Sequence, residues 1–241
     1  MERGASARVL VVGAGGLGCP ASLALAHGGV GRLTLVDPYR VDVTNLPRQL
    51  WHRTPDVGRL KVESAAEGLA RAFPALEVEP LAERVGAHNA EALFRAHDVV
   101  VDATDGTATK LFLSDVAVVT GVPLVYGGVL RMQGQAMRVE RGGPCLRCLY
   151  EEAPSPDAVP TCAQAGVLGA LAGMVGALQA RLALDARAGE AGTAGDEATL
   201  YVLDGATLRG RRVRVRRVPD CAGCARPRPP LRDEEAERCT R

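Results

Sequence analysis

Two sets of residues in this chain have the types and the spacing to do chemistry. The first is Gly13-Ala-Gly15-Gly16-Leu-Gly18, which follows the apolar run Val9 to Val12 and opens an Ala/Leu-rich segment. In a strand–turn–helix setting such glycines serve a tight turn, the approach of a phosphate to bare backbone, and close helix-on-sheet packing. The free N–H groups and positive dipole end of the following helix favour an anion at that point. A second apolar run ends in Asp37, about 20 residues further on, where a carboxylate accepts from ribose hydroxyls. Strand, helix and acid fall together, so the stretch reads as a nucleotide site rather than a turn that merely packs. The second set is Cys145-Leu-Arg-Cys148 with Cys221-Ala-Gly-Cys224. Two CxxC turns supply the four thiolates of a tetrahedral zinc site, and a closed site of that kind is structural, with no open coordination position. It would fasten the C-terminal strands to the end of the nucleotide domain. A redox role is disfavoured because neither pair opens a thioredoxin-like βαβ unit.

Around these residues the chain alternates strand and helix. A helix is predicted from Lys61 to Phe73, stopped by Pro74, and further helices over His88–His97 and Thr107–Gly121. Strands are predicted over Glu77–Leu81, Asp98–Asp102 and Pro123–Tyr126. This alternation predicts an α/β fold with a Rossmann-like, mostly parallel sheet flanked by helices. Beyond Gly127 the pattern changes. Gln135–Glu140, Leu200–Leu203 and Arg212–Val218 read as strands of a C-terminal antiparallel extension that carries the four-cysteine zinc site. A helix is predicted over Ala163–Leu184, on which Gly166, Gly169, Gly173 and Gly176 form a stripe. An interior helical glycine costs about 1 kcal/mol against alanine, so the stripe implies close approach of another backbone. Asp185–Ala198 reads as a loop, and residues 226–241 as a poorly ordered tail. The expected organisation is a single domain over 1–225, with a nucleotide-binding half at 8–127 and a zinc-stapled half at 128–225.

Bulk properties narrow the function classes. A net charge of +1 argues against a nucleic-acid footprint. The longest apolar helical stretch, Ala165–Leu178, falls short of the ~20 residues of a bilayer span. The N-terminus passes directly into the first strand, and seven cysteines without a secretory signal fit a reducing compartment. A cytoplasmic protein is expected.

The motifs GAGGLGCP at 13–20, LVDPYRVDVTNLPRQ at 35–49, Lys61, DATDG at 102–106, PCLRCLY at 144–150, TCAQAGVLGALAGMVGALQA at 161–180 and CAGC at 221–224 follow one another in the order of a known family. The chain resembles the E1-like adenylyltransferases of the ThiF/MoeB (HesA/MoeB/ThiF) type, which activate small ubiquitin-like sulfur-carrier proteins. The resemblance implies ATP-dependent adenylation of a carrier's C-terminal glycine carboxylate, with release of pyrophosphate. By the same match, Gly13, Gly15 and Gly16 line the nucleotide pocket and Asp37 takes the ribose. Asn45, Arg48, Gln49 and Lys61 reach the phosphates, and Asp105 holds Mg²⁺. Asp102 is assigned to bracing its turn. Cys162, placed at the start of the glycine-striped helix where the dipole lowers a thiol's pKa, matches the cysteine that takes up the activated carrier in some relatives. Cys19 is expected to be a small buried hydrophobe.

The resemblance further implies a homodimer, a partner with a Gly-Gly terminus, and, with no rhodanese-like domain following, a separate sulfur donor. Two departures stand out. Relatives carry an arginine ahead of the first strand that reaches the other subunit's ATP, and here Arg53 or Arg59 is a candidate substitute. After Asp105, Gly106 and Lys110 stand where relatives have Asn and Arg, and Lys110 keeps the charge without the bidentate geometry. The competing readings are a nicotinamide-dependent oxidoreductase, which leaves Arg48, Lys61 and the second CxxC pair unexplained, a non-catalytic E1-like scaffold, and an E1-like enzyme acting on tRNA.

Overall fold

The computed structural model describes residues 7–150, 166–189 and 193–225. The parallel strands are β1 (Arg8–Val12), β2 (Arg32–Val36), β3 (Glu77–Leu81), β4 (Val99–Asp102) and β5 (Leu124–Leu130), formed from apolar runs except for β3, whose sequence EVEPL is mixed and largely exposed. They alternate with helices α1 (Gly18–His27), α2 (Lys61–Ala72), α3 (Ala90–Arg95) and α4 (Thr107–Thr120). β6 (Gln133–Val139), α5 (Gly169–Arg187), β7 (Thr193–Ala194), β8 (Glu197–Asp204) and β9 (Arg209–Arg216) complete the described chain. One sheet runs in the order β3-β2-β1-β4-β5-β6-β8-β7, with β9 paired to β8. It is parallel from β3 to β5 and antiparallel from β5 onward.

The central strands are apolar on both faces because both are covered. Val9 and Val11 of β1 face one cluster with α1, α2 and α5. Leu10 and Val12 face another, built by Phe94 of α3 and Leu111, Phe112 and Val116 of α4. The chain runs outward from β1 to β3 and then returns to place β4 on the other side of β1. That reversal is the switch point at which open α/β sheets hold ligands, and the glycine turn lies there. Gly13, at φ +102°, leaves no room for a side chain: a Cβ would stand 2.7 Å from the Ala103 carbonyl oxygen at the end of β4.

The structure revises several expectations. The last helix begins at Gly169, because Gly166 takes φ +74° and Val167 bridges to Arg131 in extended form, while the expected start at Ala163 lies outside the described residues. Of the glycine stripe, Gly176 packs on the α1 backbone, with its notional Cβ 2.6 Å from the Leu17 carbonyl oxygen, and Gly169 packs on Pro47 and Arg48. Gly166 and Gly173 face open space. The expected loop at 185–198 is helical to Arg187 and then forms the β7–β8 hairpin. The antiparallel strands are longer than expected, since Arg209 and Arg211 extend β9 without burying side chains. Cys162 and the 226–241 tail lie outside the described residues.

Candidate functional site

The turn Gly13–Leu17 connects β1 to α1, and Asp37, at the end of β2, holds it. Asp37 is buried and accepts from Ala14 N and Tyr39 N, each at 2.8 Å. Each carboxylate oxygen keeps a further lone pair for a ligand hydroxyl. On the other side of the turn, His52 is buried, with Nε2 3.0 Å from the Ala14 carbonyl oxygen and Nδ1 3.0 Å from Ser64 Oγ. The carbonyl can only accept, so Nε2 carries the proton and Nδ1 accepts from the serine. Burial pushes the His52 imidazole below its ordinary value. Cys19 also donates to Ala14 O, at 3.4 Å, and burial lifts its thiol to about 12. It is an inert core residue, as expected.

The polar segment after β2 folds over this turn. Asp42 accepts from Thr44 N while Asn45 Oδ1 accepts from Asp42 N, a reciprocal cap that starts a 3-10 turn at Val43–Asn45. The segment is anchored by Trp51, whose Nε1 donates to Ser22 Oγ and Cys19 O of α1 at 2.9 and 3.1 Å. This brings Arg48 and Gln49 onto the glycines: Gln49 Nε2 lies 3.5 Å from the position a Gly15 Cβ would take, and Arg48 Cγ 3.6 Å from that of Gly16. Gln49 is buried, and its Oε1 has no partner among the described residues. Lys61 opens α2, with its N–H bonded to the Tyr39 carbonyl oxygen at 3.0 Å and its ammonium 5.6 Å from the Tyr39 ring centroid. Its charge is felt at Cys19 and His52, both of which contact Ala14.

Cations near the site divide into two groups. Arg53 and Arg59 pair with the buried Asp56, and Arg59 also pairs with Glu67. Two carboxylates therefore hold Arg59 within this chain. Arg48 donates only to the Thr44 carbonyl oxygen, and among the described residues neither Arg48 nor Lys61 has a carboxylate within 4.0 Å.

Across the turn, the loop after β4 carries Asp105, exposed and without a side-chain partner among the described residues. Thr104 N is 3.3 Å from the notional Gly13 Cβ, which sets Asp105 one residue from contact with the turn. Asp102 braces the loop by accepting from Thr104 N at 3.0 Å and Thr104 Oγ1 at 2.7 Å. Lys110 differs from its expected part. Its ammonium is buried and donates to Thr104 O at 2.7 Å and Gly127 O at 2.6 Å, with Asp102 Oδ1 at 3.3 Å. All three of its protons are engaged, so it ties the β4 loop to β5 and presents no charge to a ligand. Gln179 of α5 completes the brace, with Nε2 donating to Asp102 O and Val125 O. Neither His52 nor Gln179 stood out in the sequence, because a lone histidine or a helical glutamine carries no spacing signal.

The cysteine cluster lies against the middle of α4, beside Ser114 and Asp115. The four sulfurs of Cys145, Cys148, Cys221 and Cys224 all fall within 4.8 Å of one another, an arrangement that could hold a metal ion. The Cys145–Cys221 and Cys148–Cys224 separations are 3.6 and 3.5 Å, close to the about 3.8 Å edge of a tetrahedron with 2.3 Å metal–sulfur bonds. Burial pushes the Cys145 thiol up. At Cys221 burial acts upward too, but the N–H groups of Cys224 and Gly223 and the neighbouring thiols outweigh it, taking that thiol down to about 7. Arg147, inside the first CxxC, forks onto buried Asp115 of α4 with Nε–Oδ1 2.8 Å and Nη2–Oδ2 2.7 Å, and Leu146 N bonds Ser114 Oγ.

The chain is 45% identical over 219 residues to the SAMP-activating enzyme E1 of Haloferax volcanii, covering 91% of this chain and 80% of that protein. It is 42% identical over 220 residues to the adenylyltransferase and sulfurtransferase MOCS3 of Anopheles gambiae, of which it spans 50%. In fold it superposes on Escherichia coli MccB crystallised with ATP at a TM-score of 0.79, with 18% identity, covering 92% of this chain and 68% of that one. The ThiF family pattern runs through residues 1–223, taking in the glycine turn, the polar segment, the Asp105 loop and three of the four cysteines, and this chain belongs to the ThiF family.

Proposed function

We propose that this chain is an ATP-dependent adenylyltransferase acting on the C-terminal glycine carboxylate of a small ubiquitin-like sulfur-carrier protein. The observation that carries the reading is Arg48, which has no carboxylate within 4.0 Å among the described residues and lies against Gly16 of the glycine turn, with the Gln49 amide nitrogen against Gly15 and the Lys61 charge acting on Cys19 and His52 behind the turn. In the reaction the carboxylate oxygen bonds to the α-phosphorus, the bond from that phosphorus to the bridging oxygen breaks, and pyrophosphate leaves. A C-terminal carboxyl has a pKa of about 3.5 and is already ionised, so the chain needs no general base. The barrier is the meeting of two anions and the charge gathering on the leaving group, which fixed cations and dipoles lower.

In this reading Asp37 accepts from the ribose hydroxyls, while the N–H groups following Gly15 and Gly16 face the phosphates. Arg48, Lys61, Asn45 and Gln49 would hold the phosphate oxygens, the glutamine amide turning to satisfy the oxygen now left alone. Asp105, exposed and without a side-chain partner among the described residues, suits a Mg²⁺ ion, which when bound would neutralise phosphate charge. The four thiols suit Zn²⁺ as a structural ion. Cys162, outside the described residues, is the candidate thiol to accept the activated carrier, forming a thioester and releasing AMP. The proposal extends to a homodimer, a separate sulfur donor and a cytoplasmic setting. Among the described residues no helix is long and apolar enough to cross a membrane.

The test is ATP–pyrophosphate exchange with and without a ubiquitin-like carrier ending in Gly-Gly. Exchange that depends on the carrier supports the proposal. Carrier binding with no exchange would instead indicate a scaffold.

A further inference from the structure

His52 holds three elements of the nucleotide site at one point. It closes the polar segment that carries Arg48 and Gln49, and its backbone N–H bonds the Gln49 carbonyl oxygen at 3.2 Å. Its imidazole is buried, with Nε2 donating to the Ala14 carbonyl oxygen of the glycine turn and Nδ1 accepting from Ser64 Oγ of α2, each at 3.0 Å. Ser64 lies three residues after Lys61, on the same side of that helix. One ring thus ties the turn to both segments that supply cations. Buried polar groups need partners in any fold; what separates this one is the atom it holds.

A trans peptide unit carries its C=O and the following N–H on opposite sides. Drawing the Ala14 oxygen to His52 therefore turns the Gly15 N–H away from His52. The peptide unit before it is fixed by Asp37, which accepts from Ala14 N at 2.8 Å. With no Cβ at Gly13, Gly15 or Gly16, the units of this turn would otherwise reorient at little cost. Neither Gly15 N nor Gly16 N has an acceptor among the described residues, so both stand ready for an anion. Cys19 Sγ also donates to the Ala14 oxygen, at 3.4 Å, but a thiol is a weak donor, and the imidazole sets the orientation. Ser64 fixes the tautomer: by donating to Nδ1 it keeps the proton on Nε2, where Ala14 needs it.

We infer that His52 is a positioning residue for the triphosphate: its Nε2–H presets the Gly15 N–H for a phosphate oxygen, and Ser64 presets His52, an inference that rests on the nucleotide site proposed above and not on the carrier. A preset donor costs no reorganisation when the anion arrives, which is how a turn of glycines gains affinity for it. The effect belongs to the phosphates. In the reading above the ribose is taken by Asp37, to which the His52 ring makes no hydrogen bond, so the nucleoside part of the ligand is held by a separate group.

The test is calorimetric titration of the full chain with ATP and Mg²⁺ and, separately, with adenosine, each variant first shown to be folded by circular dichroism. His52→Gln keeps an amide N–H near the Nε2 position, whereas the shorter side chain of His52→Asn places its nitrogen near Nδ1 and does not reach Ala14. His52→Asn should raise the Kd for ATP about tenfold. His52→Gln should restore it to within about twofold of wild type, and both should leave the Kd for adenosine unchanged. Ser64→Ala, a milder change that frees the tautomer, should raise the Kd for ATP about threefold, and it decides the matter if His52→Asn does not fold. ATP affinity unchanged in the folded variants would overturn the inference, as would equal losses for ATP and adenosine, the mark of general loosening. A wild-type chain that binds no ATP would overturn the nucleotide site itself, while wild-type binding with indifferent variants would overturn only the role of His52.

Discussion

Arg48 and Lys61 define the account at the scale of single residues, because among the described residues neither has a carboxylate within 4.0 Å, and Arg48 lies against a turn built for an anion. Removing either should remove charge stabilisation with little cost to folding. Arg48→Ala and Lys61→Ala should each lower carrier-dependent exchange about a hundredfold with nearly unchanged melting temperatures, whereas Arg59→Ala, which strips buried Asp56 of a partner, should lower the melting temperature and leave exchange largely intact. His52 gives a pH signature. Burial holds its imidazole below the ordinary value, so below about pH 6.5 the unfolded chain takes up a proton that the folded chain resists. Stability is therefore full above that pH and declines as pH falls through it. The melting temperature should drop between pH 7 and pH 5.5, and drop less in His52→Gln. His97, lowered by burial in the same way, remains in both proteins, so the difference between them isolates His52. The sequence marked Asp37 by its distance behind the glycine turn, and Arg48 and Lys61 through the family resemblance alone. It misassigned Lys110, because charge is read from a sequence while burial and the carbonyls that surround an ammonium are not.

At the scale of elements, α5 shows what a pattern conveys and what it leaves out. Four glycines at helical spacing predict a close neighbour, yet two of them meet no other atoms. Gly176→Ala would drive a methyl group to 2.6 Å from the Leu17 carbonyl oxygen and 3.0 Å from Ala21 N, both backbone atoms, and should destabilise by about 1–3 kcal/mol. Gly173→Ala in the same helix meets open space and should stabilise by about 1 kcal/mol. Urea denaturation of the two variants checks both signs. The central parallel strands β1, β2 and β4 were legible because burial on two faces produces apolar runs. The ends of α5 and β9 were not, since Gly166 can be helical or left-handed and exposed arginines carry no periodic signal.

At the scale of the molecule, the two halves share one sheet, and the cysteine cluster joins the segment after β9 to the turn at Leu146 and to α4. If zinc fills it, each chain should contain about one zinc atom, and its removal by a strong chelator should lower the melting temperature sharply, on the scale of up to about 10 kcal/mol in such sites. Cys148→Ser should do the same without changing the KM for ATP in protein that remains folded, because the cluster does not touch the glycine turn. The central claim is that fixed positive charge at this turn lets a carboxylate strike the α-phosphorus. It is tested most directly by ATP–pyrophosphate exchange in the wild-type protein and in Arg48→Ala/Lys61→Ala. The account predicts exchange that appears only with a Gly-Gly-ending carrier and is lost in the double variant while the fold persists. Exchange that survives in the double variant, or that never appears although ATP and carrier both bind, would contradict it.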